Sequence, residues 1–147
     1  MAISKRLVSL LFLIVCALFV SGMSGLGGDD APRRIPTPDE NYAVTILDQA
    51  DVLTKVTMFT INGHSLFLGR KGKGRLAVPF GKIRRVDFRL KDGGVEALLQ
   101  LKKGGKLALT ADRRYECFGR TRFGNFKITL GDIKTLTIDG PVPAPEK

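Results

Sequence analysis

GRKGKGRLAVPFGKIRRVDF (residues 69–88) and GRTRFGNFKITLGDIKTLTI (residues 119–138) align without a gap, fifty residues apart. Five of the twenty positions are identical: Gly69/Gly119, Arg70/Arg120, Gly74/Gly124, Gly81/Gly131 and Ile83/Ile133. Apolar residues coincide at Leu76/Phe126, Val78/Ile128, Phe80/Leu130, Val86/Leu136 and Phe88/Ile138. What recurs is turn chemistry and an apolar pattern, so the repetition speaks of architecture before it speaks of activity.

Outward from these stretches, the punctuation is that of an all-β chain. Asn62-Gly63, Gly72-Lys73-Gly74, Asp92-Gly93-Gly94, Gly104-Gly105 and Phe123-Gly124-Asn125 separate short alternating runs, and no window holds a sustained helical period. The pattern predicts strands at 44–47, 52–60, 65–69, 75–80 and 83–90, then at 95–102, 106–111, 115–121, 125–130 and 133–138. In one hairpin Leu76, Val78 and Phe80 point inward and Ala77 and Pro79 outward. In the other Phe126, Ile128 and Leu130 point inward and Lys127 and Thr129 outward. Pro79 lacks a ladder donor, which places its strand at an edge or an end.

The expected fold is a small barrel or sandwich of two related five-strand units, residues 42–90 and 94–139, within a β-domain spanning 42–140 after an N-terminal signal helix. Units of this length sit near the lower limit for independent stability without a disulfide or a metal. The connection Lys91-Asp92-Gly93-Gly94 is too short for freely moving domains. One packed body is expected.

The run Gly-x-apolar-x-apolar-x-apolar, a two-residue turn (Gly81-Lys82 or Gly131-Asp132), then Ile-x-x-apolar-x-apolar, resembles the last two strands of small SH3-like or Sm-like β-barrels. The resemblance covers roughly twenty residues per unit. It implies a fold, and families built on it include peptide, nucleic-acid and cell-wall binders.

At the N-terminus Lys5 and Arg6 precede an uncharged apolar stretch and then the small residues SGMSGLGG, the layout of a secretory signal peptide over residues 1–24. An uncleaved membrane anchor over residues 7–26 is the competing reading. Both put the rest of the chain outside the cytoplasm, in the periplasm or the extracellular space. Residues 25–41 read as a disordered linker and 141–147 as a proline-rich tail. Loss of the signal removes Cys16 and leaves Cys117 alone, so no intrachain disulfide is available and stability must come from packing. Cys117, aligned with Phe67, reads as a small buried hydrophobe.

Enzymatic readings find little support. A single histidine, His64 beside the Asn62-Gly63 turn, excludes a His-based metal cluster within one chain. Asp87, Asp112 and Ser65 have no neighbours at a meaningful spacing. The glycine-rich run at 69–74 superficially suits a phosphate cradle, but Arg75 opens a strand where a P-loop opens a helix. No catalytic residue, metal or cofactor is assigned.

Charge is the strongest functional clue. The chain carries +10, and residues 68–127 hold 17 basic against 5 acidic side chains. The candidate anion-binding set is Arg70, Lys71, Lys73, Arg75, Arg84, Arg85, Arg120 and Arg122. A field of this sign attracts phosphate, carboxylate or sulfate surfaces and weakens with salt. The competing reading is that outward cations only keep the sheet soluble and its edges unpaired. Phe123, between Arg122 and Gly124, suits a headgroup surface or a base unless it folds back on the barrel; its counterpart is Lys73. The expected function is a non-catalytic exported module docking on an anionic envelope polymer or lipid headgroup through basic hairpins. The alternative is a structural subunit of an envelope assembly. Nucleic acid is disfavoured by export and by only two tyrosines and no tryptophan.

Overall fold

The computed structural model describes residues 32–143; the signal peptide or anchor, the start of the linker and the last four tail residues lie outside them. All ten expected strands form: β1 (Tyr42–Asp48), β2 (Leu53–Ile61), β3 (Leu66–Lys71), β4 (Gly74–Pro79), β5 (Ile83–Lys91), β6 (Gly94–Leu101), β7 (Lys106–Ala111), β8 (Glu116–Thr121), β9 (Gly124–Thr129) and β10 (Ile133–Pro141). There is no α-helix among the described residues. Local chemistry accounts for the connections. Asp92 and Gly93 take φ of 48° and 77°, the left-handed pair of a two-residue hairpin, and bring Lys91 opposite Gly94. The two-residue turns expected at 81–82 and 131–132 are instead single 3-10 turns, Phe80–Lys82 and Leu130–Asp132. Each is closed by the amide of Ile83 or Ile133 donating to the carbonyl of Phe80 or Leu130. This tighter turn sinks Phe80 and Leu130 into the core, where neither is exposed at all.

The strands join in one antiparallel sheet in the order β4-β3-β7-β6-β5-β10-β1-β2-β8-β9, curled into a half-barrel. Its centre is the β5–β10 contact, where Val86 faces Leu136, Arg85 faces Thr137 and Asp87 faces Thr135. Outward from there come β6, β7, β3 and β4 on one side and β1, β2, β8 and β9 on the other. The β1–β2 and β6–β7 hairpins share a register: Val44 opposite Val56 matches Ala97 opposite Leu109, 53 residues on. The β3–β4 hairpin adds to β7, and the β8–β9 hairpin adds to β2. Each hairpin thus completes the sheet of the other half of the chain, a pairing the sequence pattern does not reveal.

That exchange explains the first identical pair of the repeated stretch. Gly69 and Gly119 are both buried. A Cβ on Gly69 would lie 2.7 Å from Cβ of Leu109 on β7, and one on Gly119 would lie 2.8 Å from Cβ of Val56 on β2. Only glycine lets the exchanged strands approach this closely.

The core lies on the concave side, built from the alternate residues Tyr42, Val44 and Ile46 of β1, Val95, Ala97 and Leu99 of β6, and Ile83, Val86, Ile133 and Leu136 of the central pair. The curl brings Tyr42 and Phe59, from β1 and β2, against Phe80 at ring-centroid distances of 5.9 and 5.5 Å. Burying each such side chain stabilises the fold by about 1.5–3 kcal/mol. Cys117 is wholly buried, and that burial pushes its thiol pKa well above the usual range. Pro79 ends β4, an edge strand as its missing donor requires. Leu76, expected inside, is 39% exposed: its cross-strand partner is Gly69, which offers no side chain, and β4 has no second neighbour to cover it.

Candidate functional site

The β3–β4 hairpin pairs Arg70 directly with Arg75 and Lys71 with Gly74. Directly opposed residues of an antiparallel pair project from the same face, so two guanidinium groups stand side by side there. Like charges so placed are destabilising, on the order of 0.2–1 kcal/mol. Neither arginine has an ion-pair partner among the described residues. Across β3, Arg70 faces Thr110 of β7, and Thr110 faces Glu96 of β6. A groove of about 940 Å³ opens along this row, lined by Arg70 and Arg75, by residues 91–96 across the β5–β6 turn, and by residues 110–115 at and after the end of β7.

Five cations and three carboxylates line the groove, and the carboxylates are largely engaged. Glu96 accepts from Arg89 at 2.6 Å and from Lys91 at 3.4 Å, and those bonds lower its pKa. Asp112 accepts from Arg114 through Nη2 at 2.8 Å, Nε at 3.1 Å and the backbone amide at 2.9 Å. The side-chain bonds, then the amide, hold its pKa at about 2. Arg70, Arg75 and Arg113 are left without ion-pair partners among the described residues, while Lys71 and Lys73 stand exposed at the tip of the same hairpin. This geometry suits an anion that bridges several guanidinium groups.

The eight cations singled out from sequence fall in three places. Arg70, Lys71, Lys73 and Arg75 share the β3–β4 hairpin. Arg84 and Arg85 lie on β5 at the centre of the sheet, where Arg85 binds Asp87 at 2.9 Å. Asp87 also accepts from Gln100 and Thr135, so Arg85 belongs to a satisfied polar network. Arg120 and Arg122 sit on the β8–β9 hairpin, at the far end of the strand order. There Arg120 faces Asn125, whose side-chain amide donates to the carbonyl of Arg33 at 3.1 Å. The guanidinium of Arg122 stacks 4.4 Å over the ring of Phe123, which is 83% exposed and does not fold back on the sheet.

Sequence reasoning counted Arg113 and Arg114 within the basic region but did not place them beside the β3–β4 hairpin. Their position follows from β3 pairing with β7, which no local pattern encodes. His64 is exposed, and no group of three or more His, Cys, Asp or Glu capable of holding a metal occurs among the described residues.

Residues 38–140 match a protein family described as "Uncharacterised protein", and the chain belongs to that family. No curated protein and no solved structure shows a match.

Proposed function

We propose that this member of the family is a non-catalytic, exported β-module that docks on an anionic component of the cell envelope through the β3–β4 hairpin and its groove. The observation that carries the reading is the unpartnered Arg70–Arg75 pair facing into the groove with Arg113. The fold would lose nothing with a neutral residue at either place: the matching pair on the other hairpin is Arg120 and Asn125. Of the candidate set, the β3–β4 cations hold this site, and Arg85 serves the sheet. The signal-like or anchor-like N-terminus supports placement outside the cytoplasm.

The strand order also supports a duplicated origin from an SH3-like ancestor. Each run β5-β6-β7-β3-β4 and β10-β1-β2-β8-β9 gathers five strands, with a 3-10 turn between the edge hairpin and the central strand. On this reading the two units have exchanged hairpins.

The test is retention on isolated envelope fractions at low salt. Replacing Arg70, Lys71, Lys73 and Arg75 together by glutamine is expected to release the protein while its circular dichroism stays unchanged. Undiminished retention would overturn the reading.

A second reading, a structural subunit of an envelope assembly, draws on β4 itself. Its outer ladder is unpaired and its residues from Gly74 to Ala77 are exposed, an edge onto which a partner strand can add. Crosslinking in cells that captures no partner through β4 would remove it.

A further inference from the structure

We propose that the end of the sheet formed by the β8–β9 tip and the start of β2 is a second contact surface, which seats on an anionic lipid leaflet. It rests on the envelope-docking reading, names its lipid partner, and uses residues separate from the groove.

Three large exposed apolar side chains lie on these two segments. Phe123 is 83% exposed, Leu53 68% and Val52 53%. Thr57 of β2 faces Arg120 of β8 in an antiparallel pair, so residues before Thr57 and residues after Arg120 run to the same end of the sheet. Exposed cations lie on the same segments: Lys55 on β2, and Arg120 and Arg122 on the hairpin. The nearby carboxylate of Asp51 is already bound to Lys134.

The fold does not require this apolarity. At the matching end of the other half, Lys73 stands where Phe123 does, and Gly105 and Lys106 stand where Val52 and Leu53 do. The two ends have the same scaffold and opposite character. One carries lysine and glycine at these three positions; the other combines an aromatic tip, two aliphatic side chains and neighbouring cations. That combination is the chemistry of an interfacial surface, in which the apolar groups enter the acyl boundary while arginine and lysine reach the phosphates.

The chain path agrees. The hydrogen bond from Asn125 to the carbonyl of Arg33 ties the linker to the hairpin two residues from Phe123. In the sequence, Leu26, the end of the uncharged apolar run, lies seven residues before Arg33, a length that spans at most about 25 Å when extended.

The chain contains no tryptophan, so Phe123→Trp supplies a single local emitter at an exposed position, where the larger ring can keep its stacking with Arg122. The full chain is reconstituted in vesicles of phosphatidylcholine, with or without phosphatidylglycerol, so that the N-terminal sequence is present in both. The expected result is a blue-shifted emission, quenched by lipids brominated on their acyl chains, only where phosphatidylglycerol is present. Further substitution of Arg120 and Arg122 by glutamine should abolish the shift. Leu90→Trp, 55% exposed on β5, should emit as in water in both vesicles. Emission from Phe123→Trp that is the same in both vesicles and unquenched would overturn the proposal. So would equal quenching of Leu90→Trp, or a blue shift without lipid that grows with protein concentration, which would assign the surface to a second copy of the chain. The tryptophan reports only the tip, and amide shifts of residues 69–75 on titration with polyphosphate report only the hairpin, so either reading can fail alone.

Discussion

Gly119→Ala places a Cβ 2.8 Å from both Cβ and Cγ2 of Val56, and Gly69→Ala places one 2.7 Å from Cβ of Leu109. Non-bonded carbons settle at about 3.5–4.0 Å, so β8 must back away from β2, or β3 from β7, by roughly 1 Å. On the scale of overpacked sites each substitution should cost about 1–3 kcal/mol, or roughly 5–15 °C in Tm for a domain of this size. The strand exchange makes the prediction specific through a double-mutant cycle. Val56→Gly removes the side chain that Gly119→Ala strikes, so this pair should be less destabilising than the sum of its parts by about 1–2 kcal/mol. Val56→Gly with Gly69→Ala should add within about 0.5 kcal/mol, because Gly69 meets Leu109. Urea unfolding followed by circular dichroism supplies the four free energies of each cycle. If each hairpin instead paired within its own half, Val56 would face Gly69 and the coupling would move to that pair. Coupling of Val56→Gly to Gly69→Ala, or additivity with both alanines, would refute the exchanged sheet.

Thr60 is wholly buried and its hydroxyl has no hydrogen-bond partner among the described protein groups, so Thr60→Val should be neutral or raise stability by up to about 1–2 kcal/mol in the same urea assay. Asp112 should titrate with a midpoint of about 2 by carboxyl NMR, and Arg114→Gln should return it toward about 3.9. Because its folded pKa is depressed, the stability this pair contributes is present above the unfolded value and is lost as pH falls from there through about 2. Cys117 should resist thiol reagents in the native protein and react only on unfolding, as mass mapping of its peptide would show.

The strands were legible because each carries its own evidence of period and turn. Asp92-Gly93 specifies a left-handed two-residue hairpin by itself, and Ile83 and Ile133 announce the return of the chain to the core. Strand partnership was not legible. Gly69 and Gly119 read as repeated turn chemistry, whereas they are the points where a strand from the other half comes close, a relation between residues 40 and 63 positions apart. The site inherits the same limit. The Arg70–Arg75 pair follows from a local hairpin, but Arg113 reaches the groove only because β3 lies on β7. Arg85 carried the same sign as its neighbours and was grouped with them. Its occupation by Asp87, Gln100 and Thr135 depends on the central β5–β10 and β5–β6 contacts. Leu76 fits the inward alternation and is nonetheless exposed, because alternation reports a face and says nothing about whether anything covers it.

The docking account is tested most directly by an amide NMR titration of the protein with soluble polyphosphate at low salt. The account predicts shifts concentrated on residues 69–75 and 110–115, collapsing with added salt and with Arg70→Gln/Arg75→Gln. Shifts scattered evenly over all exposed lysines and arginines, or none at all, would contradict it.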